Sequence, residues 1–475
     1  MGVIKFIFET LESIVSGILE ASFDIIKALL TKERKTEYTA EFGQLNDQLQ
    51  RKGGGFRIGY KWGNDLLDSN NHLICLGGSG SKKSTCVCFN TLLQSNDSSY
   101  VVFDCSRELY NGTAAYKYSN GNDYNVYKFD LDNYMESIGF NWIQKCDSES
   151  DVSRFSQVLI KNSIEDAPYD YWAQSSENLI SFFTYVLSLY AEPEYVNMAN
   201  VLNMIQVFSF DPKRIDRWII GTGNERLINR YKSIVSTPEK TLQSSIATAT
   251  NTLAIYNNPN IAAITSKDTL SFDEFRTRKT ILYINGSPSM IQYAKGICAC
   301  FFESFFAHIL QNLPGKNDLN ITFLIDECAT MKLLTLPKIL ELGRKYRISV
   351  ATLWQDYGQI EHIYGNNQAS NILANSKLKA FMPSGQPLAT CKMLEALLGR
   401  YSFRDDKDIL RTRELLNAQE IFQLKKILLL NGNNKPLLIE PHPYFESAKL
   451  RRLAELPIHQ ITNPVPLQVP PFLNF

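Results

Sequence analysis

The sequence predicts an α/β fold: a mostly parallel central sheet covered by helices on both faces, with an all-α insertion. Three observations carry that reading. Short runs rich in Val, Ile, Leu and Phe recur between helical patterns, and strands buried on both faces read as such runs rather than as alternations. Between about Asp147 and Tyr256 the rhythm stops and the pattern is helical almost throughout. The length, 475 residues, exceeds what one hydrophobic core usually supports, so two domains or one domain with a large insertion is expected.

Taken in order, the first thirty residues put Val3, Ile4, Ile7, Phe8, Leu11, Ile14, Val15, Ile18, Ile25, Ile26 and Leu29 on one helical face, with Glu9, Glu12, Ser13, Ser16, Glu20 and Asp24 opposite. Charges interrupt this amphipathic helix too often for a membrane span, and it is not a cleavable signal. Its acidic polar face fits docking on a partner helix or on the chain's own body better than a peripheral membrane anchor. A polar stretch from Thr31 to Gly55 reads as a linker, and Phe56 to Trp62 as a short strand. The strand-like runs are then His72 to Leu76, Tyr100 to Asp104, Asn125 to Leu131, Thr280 to Asn285, Ile321 to Asp326, Ile348 to Leu353, Leu378 to Met382 and Lys426 to Leu430. Within the helical stretch, Tyr171 to Tyr190 and Glu239 to Tyr256 are long helices, and core packing is expected for Trp172, Phe182 and Phe183. The tail from Pro464, with its four prolines, is expected to be extended.

Hydrophobic residues at 44% and charged residues at 21% exclude disorder, collagen and coiled coil. Lys plus Arg equals Asp plus Glu at 49 each, so any nucleic-acid contact must use a local patch rather than bulk charge. Nine cysteines, an odd number and mostly in apolar runs, fit a reducing compartment, the cytoplasm. No CxxC occurs and the five histidines are scattered, so no zinc is expected.

The chemistry concentrates directly after the run His72 to Leu76. There Gly77, Gly78, Ser79, Gly80, Ser81, Lys82, Lys83, Ser84 and Thr85 precede a helical pattern. In a phosphate-binding loop, glycines let backbone N–H groups close around phosphate oxygens at a helix N-terminus, Lys neutralises the β- and γ-phosphates, and Ser or Thr holds magnesium. Against GxxxxGK(S/T), Gly77, Lys83 and Ser84 fit, whereas Lys82 stands where the second glycine belongs. A residue with a Cβ there is expected either to take a positive φ at a cost of about 1–2 kcal/mol or to crowd the phosphates. The alternative is a glycine-rich turn without a ligand.

Two further elements belong with the loop. The apolar run Ile321 to Ile325 ends in Asp326 and Glu327; one carboxylate at a strand tip can orient water on magnesium and its neighbour can polarise an attacking water, although such a pair also simply closes a strand. The run Ile348 to Leu353 leads to Gln355, with Arg344 before it. A strand-end amide can sense the γ-phosphate, and an arginine can stabilise transition-state charge from a neighbouring subunit. The pattern alone does not choose among Arg344, Lys345 and Arg347.

The order of these motifs resembles the coupling proteins of conjugative type IV secretion systems, the TraG/TraD-like ATPases of the RecA/FtsK-like group. The likeness runs from about Phe56 to Phe445. Val102 to Leu109 is similar to the family's V-x-D-P-K-G-E-L; Tyr171 and Trp172 to the aromatic pair opening a helix of its all-α domain; and Glu239, Lys240, Thr241, Ser244 and Ser245 to its E-K-T-x-x-S helix start. Phe323 to Ala329 is similar to F-L-L-D-E-F-A, and Gly343, Arg344, Ile348, Ser349 and Gln355 to a following G-R and I-S signature ending in Gln. Arg413 to Ile421 and Pro443 to Phe445 are similar to its late segments.

The resemblance implies a RecA-like P-loop NTPase: residues 1–55 an N-terminal helix and linker, 56–146 and 257–455 the two parts of a nucleotide-binding domain, 147–256 an all-α domain and 456–475 a tail. It implies ATP on Gly77 to Thr85, Mg2+ on Ser84 and Asp326, Glu327 as catalytic carboxylate, Gln355 at the γ-phosphate, and Arg344 as a finger across a subunit boundary. It implies a ring, of six, that receives a relaxase-bound single DNA strand and passes it to the secretion channel, working in the cytoplasm or at the inner face of the cell membrane. Lys82 for glycine, Cys105 to Arg107 for Pro-Lys-Gly, and the want of the family's two N-terminal membrane helices are departures. The first two leave a second expectation standing: an adaptor that recruits cargo without ATP hydrolysis.

Overall fold

The computed structural model describes residues 38–48, 55–58, 71–119, 121–164, 169–383, 386–457 and 465–475. The expected N-terminal helix, most of the linker and residues 59–62 of the expected strand after it lie outside these. Eleven strands form among the described residues. In chain order they are β1 (Leu73–Leu76), β2 (Ser98–Asp104), β3 (Asn125–Asp130), β4 (Thr280–Asn285), β5 (Asn320–Ile325), β6 (Ile348–Trp354), β7 (Leu378–Phe381), β8 (Arg400–Arg404), β9 (Leu410–Glu414), β10 (Ile427–Asn431) and β11 (Leu437–Ile439). Nine build one sheet in the order β11-β10-β7-β1-β6-β5-β2-β4-β3. From β7 to β3 every neighbouring pair is parallel, whereas β10 and β11 join antiparallel at one edge.

Each of the eight expected runs from His72 to Leu430 is a strand, with ends shifted by a residue or two, and β11 adds a ninth. Every residue of β1, β2, β4 and β6 is buried, as expected where helices cover both faces. Such strands carry their polar residues at the ends, and parallel pairing aligns those ends. Leu76 of β1 lies opposite Trp354 of β6, and Phe103 of β2 opposite Ile325 of β5. Whatever follows these strands therefore emerges along one edge, the place where open α/β sheets hold ligands.

The helices named below are α1 (Phe89–Gln94), α2 (Glu108–Tyr118), α3 (Glu149–Ser163), α4 (Tyr171–Tyr190), α5 (Met198–Phe210), α6 (Pro212–Gly221), α7 (Glu225–Val235), α8 (Glu239–Leu253), α9 (Lys295–Gln311) and α10 (Tyr357–Asn375). From α3 to α8 the chain is helical, capped by side chains at several starts: Ser148, Asp170, Asn197 and Asn224 each accept from backbone N–H groups of the first turn. Phe182 and Phe183 are buried as expected, but Trp172 is 42% exposed. It stands in the first turn of α4, beside the exposed Tyr171, where no neighbouring element covers it as one covers the middle of the helix. The block is anchored on the sheet through α9, whose Phe302, Phe305 and Phe306 pack on Phe323 of β5 with ring centroids 5.1–6.2 Å apart. Residues 465–475 form neither helix nor strand, and Asn200 both donates to the Pro471 carbonyl and accepts from the Leu473 N–H.

The chain divides into two compact units. Of the described residues, 38–41 and 395–416 make up one, in which β8 pairs antiparallel with β9 and Thr39 bridges to Tyr401. The remainder makes up the other, which contains the nine-stranded sheet and the helical block. Among the described residues no helix is long and apolar enough to cross a membrane.

Candidate functional site

The loop after β1 is shaped by positions where a side chain cannot fit or must strain. A Cβ on Gly77 would lie 2.5 Å from Ser81 Oγ and 2.6 Å from Met382 Cβ, closer than any relaxed contact. Gly80 has φ 74 and nothing near it. Lys82 has φ 68, so the first of the two expected consequences is realised: the backbone keeps the left-handed turn a glycine would take, at about 1–2 kcal/mol. Its side chain leaves the loop, Nζ standing 3.9 Å from Glu446 Oε1 and 5.9 Å from the centre of the Phe445 ring. The helix that follows opens with a π-turn, Ser84–Cys88, before α1, a local widening that is frequent at functional sites.

Lys83 and Ser84 face inward. The Lys83 ammonium donates to the Gly77 and Gly78 carbonyls, which keeps it over the loop. Ser84 Oγ donates to Asp326 Oδ1 at 2.6 Å, joining the loop after β1 to the tip of β5 across the intervening β6. Cys88 Sγ lies 3.8 Å from the same carboxylate oxygen. Asp326 is half-buried, and burial pushes its pKa up to about 6, partly offset by the Ser84 hydrogen bond and raised again by the Glu327 charge. Glu327 is shifted upward too, by burial first, with Lys83 and a hydrogen bond from Gln355 acting against it. Two adjacent carboxylates whose charge burial disfavours form a site that gains by taking up a cation.

Of the residues expected from sequence, Gly77 to Thr85, Asp326, Glu327 and Gln355 are brought to this edge. Gln355 follows β6 directly, and its N–H is held by Gln359 Oε1 at 2.9 Å. Arg344 is not brought there. It is exposed in a 3-10 turn, Gly343–Tyr346, before the first residue of β6, and the seven residues of that strand set it roughly 23 Å from Gln355. Within one chain it therefore cannot touch the loop.

Two residues of the site carried a sequence signal without an assigned role. Asp104, the last residue of β2, is fully buried; Oδ2 accepts from Tyr110 N–H at 2.8 Å, and its pKa is pushed up to about 6, mainly by burial and then by Asp326. Arg107, standing where the resembled family has glycine, has φ 63. Its guanidinium pairs with Asp130 and Asp132, and Asp132 in turn accepts from Ser287. Both departures from glycine thus keep the left-handed backbone and turn a cation outward from the loop to a carboxylate elsewhere.

The residues fit a nucleoside triphosphate with magnesium. The cradle after β1 has no room for a Cβ at Gly77, and the buried Ser81 Oγ finds no protein partner. Ser84 and Asp326 offer hard oxygen ligands in contact with each other. Among the described residues no three His, Cys, Asp or Glu side chains converge, so a magnesium ion at Ser84 and Asp326 would complete its shell with phosphate and water, as that ion usually does.

The family described as type IV secretory system conjugative DNA transfer matches residues 14–464. The Protein VirD4 of Agrobacterium fabrum is 22% identical over 46% of this chain and 35% of its own length. The conjugal transfer protein TraG of Rhizobium radiobacter is 24% identical over 68% of this chain and 51% of its own. The chain thus spans about a third to a half of these relatives. Among solved structures, plasmid coupling protein TrwB in complex with ADP and Mg2+ superposes with a TM-score of 0.66, covering 91% of this chain and 95% of that one at 16% identity. TrwB in complex with a non-hydrolysable GTP analogue gives the same TM-score over 86% and 97%. The shared fold is that of these coupling proteins.

Proposed function

The chain belongs to the type IV secretory system conjugative DNA transfer family, and on that premise we propose that it is the ATP-driven coupling motor of such a system. It would receive a relaxase-bound DNA strand and drive it toward the secretion channel. One observation carries this reading: the 2.6 Å hydrogen bond from Ser84 to Asp326, which makes one pocket of the phosphate loop and the twin acids.

In that pocket the loop N–H groups and Lys83 bind the β- and γ-phosphates, and Ser84 and Asp326 hold the metal. Magnesium, when bound, neutralises phosphate charge and orients the transferring group. Glu327 accepts the proton of the attacking water, its raised pKa bringing it nearer the working pH, and Gln355, hydrogen-bonded to Glu327, positions that water. The remote place of Arg344 suits a finger supplied to a neighbouring subunit, which is the reason for proposing a ring, of six by analogy with the family. Contacts with DNA would be to phosphates and independent of sequence. The domain division stated above is part of the same proposal, with residues 147–256 receiving the relaxosome.

The adaptor alternative draws on Lys82 and on Cys105 to Arg107. It loses support because the side chain of Lys82 turns toward Glu446 and Arg107 toward Asp130, leaving the phosphates uncrowded. Phosphate release by the purified protein, with and without single-stranded DNA, tests the proposal: magnesium-dependent turnover is expected, and none under any condition returns the adaptor.

A further inference from the structure

Between the helical block and the acid-bearing strand lies a cleft of about 780 Å³. Its rim carries Lys161, Lys295, Lys332 and His362, together with Tyr169, and no Asp or Glu is among its described lining residues. In a chain of zero formal net charge, that is the local patch which composition alone could not place. Two smaller depressions continue it: one of about 220 Å³ shares Asn162, Gln292 and Lys295 with it, and one of about 400 Å³ shares Lys332 and adds both Lys338 and Glu341, so the uncompensated positive charge is that of the main cleft.

The lysines are held in place. Asn162, buried at the end of α3, accepts from Lys332 N–H at 2.7 Å and donates to the Lys332 carbonyl at 3.1 Å. This amide clamp fixes Lys161, next to Asn162 in sequence, relative to Lys332. Burial and the Lys161 charge both pull the Lys332 ammonium below its ordinary pKa, so the pair is kept together at an electrostatic cost that a bound anion removes. Beside the cleft, two and three residues after Tyr169 and so within about 7 and about 11 Å of chain, Tyr171 and Trp172 stand 63% and 42% exposed. Their rings meet edge to face at 5.8 Å, on a helix turn fixed by Asp170 accepting from Trp172 and Ala173 N–H groups. A basic groove bordered by outward aromatic faces is the arrangement that binds a single nucleic-acid strand, lysines taking phosphates and rings taking bases.

We infer that this cleft is a binding site for single-stranded nucleic acid, with Lys161, Lys295 and Lys332 on the phosphodiester backbone and Tyr171 and Trp172 stacking on bases. The inference rests on the motor reading for the kind of ligand and gives it a place. That place has a consequence, since Lys332 is five residues beyond Glu327 on the same loop, so a bound strand touches the segment that carries the proposed catalytic carboxylate.

The test is fluorescence anisotropy of labelled oligothymidylate with the full chain across a salt series, alongside magnesium-dependent binding of a fluorescent ATP analogue. Lys161→Ala and Lys332→Ala are expected to weaken oligothymidylate binding and to lower the slope of log K against log salt by about 0.7 for each phosphate left without its lysine. Lys161→Arg and Lys332→Arg keep binding. Trp172→Ala is expected to weaken it about fivefold or more with the slope unchanged, because stacking releases no counterions. ATP-analogue binding stays as in wild type for all of these. An unchanged slope in the doubly substituted Lys161→Ala, Lys332→Ala protein overturns the inference, as does failure of the arginine variants to keep binding. If that protein loses the ATP analogue and keeps oligothymidylate, the cleft belongs to the nucleotide and the inference is again overturned. If wild type binds no ATP analogue while the lysine variants lose oligothymidylate, the motor reading fails and this site stands.

Discussion

Replacing Lys82 by glycine separates a working phosphate loop from a degenerate one. Three terms set the effect on stability. The left-handed conformation at φ 68 is relieved, a gain of about 1–2 kcal/mol. Glycine gives the unfolded chain more freedom, a loss of about 0.5–1 kcal/mol. The pair with Glu446, 3.9 Å apart with each side chain nearly half exposed, disappears, a loss of about 0–1 kcal/mol. The sum lies between a loss of about 1 and a gain of about 1.5 kcal/mol, centred near zero, so urea midpoints of wild type and Lys82→Gly should differ little. The backbone of the loop is already the one glycine would adopt, and the lysine side chain is directed away from it. Magnesium-dependent binding of a fluorescent ATP analogue should therefore be present in both proteins, with dissociation constants within about fivefold, the factor that 1 kcal/mol allows. Binding absent from wild type and gained in Lys82→Gly would show that Lys82 does block the phosphates and would restore the adaptor.

Gly77→Ala should lower stability by about 1–3 kcal/mol in a thermal melt, because the new methyl meets Ser81 Oγ at 2.5 Å and Met382 Cβ at 2.6 Å; it should also weaken nucleotide binding. Arg107→Gly gains by relief of φ 63 but leaves Asp130, whose side chain is only 5% exposed, with Lys128 and the Asp132 N–H; charged hydrogen bonds of about 1.5–3 kcal/mol outweigh the gain, so urea unfolding should show a net loss of about 1–2 kcal/mol. Asp326 has a folded pKa of about 6, above the ordinary 3.8, so the folded state holds the proton more tightly and the stability present below pH 4 is lost as pH rises through 6. Asp326→Asn should remove a share of that loss, about 2–3 kcal/mol, leaving the part due to Asp104, which is shifted the same way. Nucleotide binding runs opposite: because magnesium needs the ionised carboxylate, wild-type affinity for the magnesium–ATP analogue should fall about tenfold per pH unit below pH 6.

What could be read from the sequence follows from which physics is local. Doubly buried strands announce themselves as apolar runs, and the glycines, Lys83, Ser84, Asp326 and Glu327 follow such runs directly, so the sheet, and the meeting of these residues at its edge, could be read. The strain at Lys82 was legible because a Cβ at a glycine position leaves few choices. The strand order was not, since β1 and β5 are separated by β6 only through tertiary pairing. The hairpin β8–β9 escaped because RYSFR and LRTRE are largely charged or polar, with only Tyr401 and Phe403 sharing an apolar face. Trp172 misled for the reverse reason: an aromatic residue in an apolar helix reads as core, and only the packing of neighbours reveals that the first turn of α4 is left open. The cationic cleft was invisible because Lys161, Lys295 and Lys332 are scattered along the chain and come to one cleft only in the folded structure, Lys161 and Lys332 through the clamp at Asn162.

If the loop after β1 and the twin acids after β5 form one hydrolytic site, removing the Glu327 carboxylate must stop chemistry without releasing the nucleotide. Single-turnover phosphate release in wild type and Glu327→Gln, with binding of the magnesium–ATP analogue followed in the same preparations, decides this. Glu327→Gln should bind nucleotide as wild type does and release phosphate at least about a hundredfold more slowly, the lower range of a positioned general base. Equal release by the two proteins would mean that the acids take no part in hydrolysis.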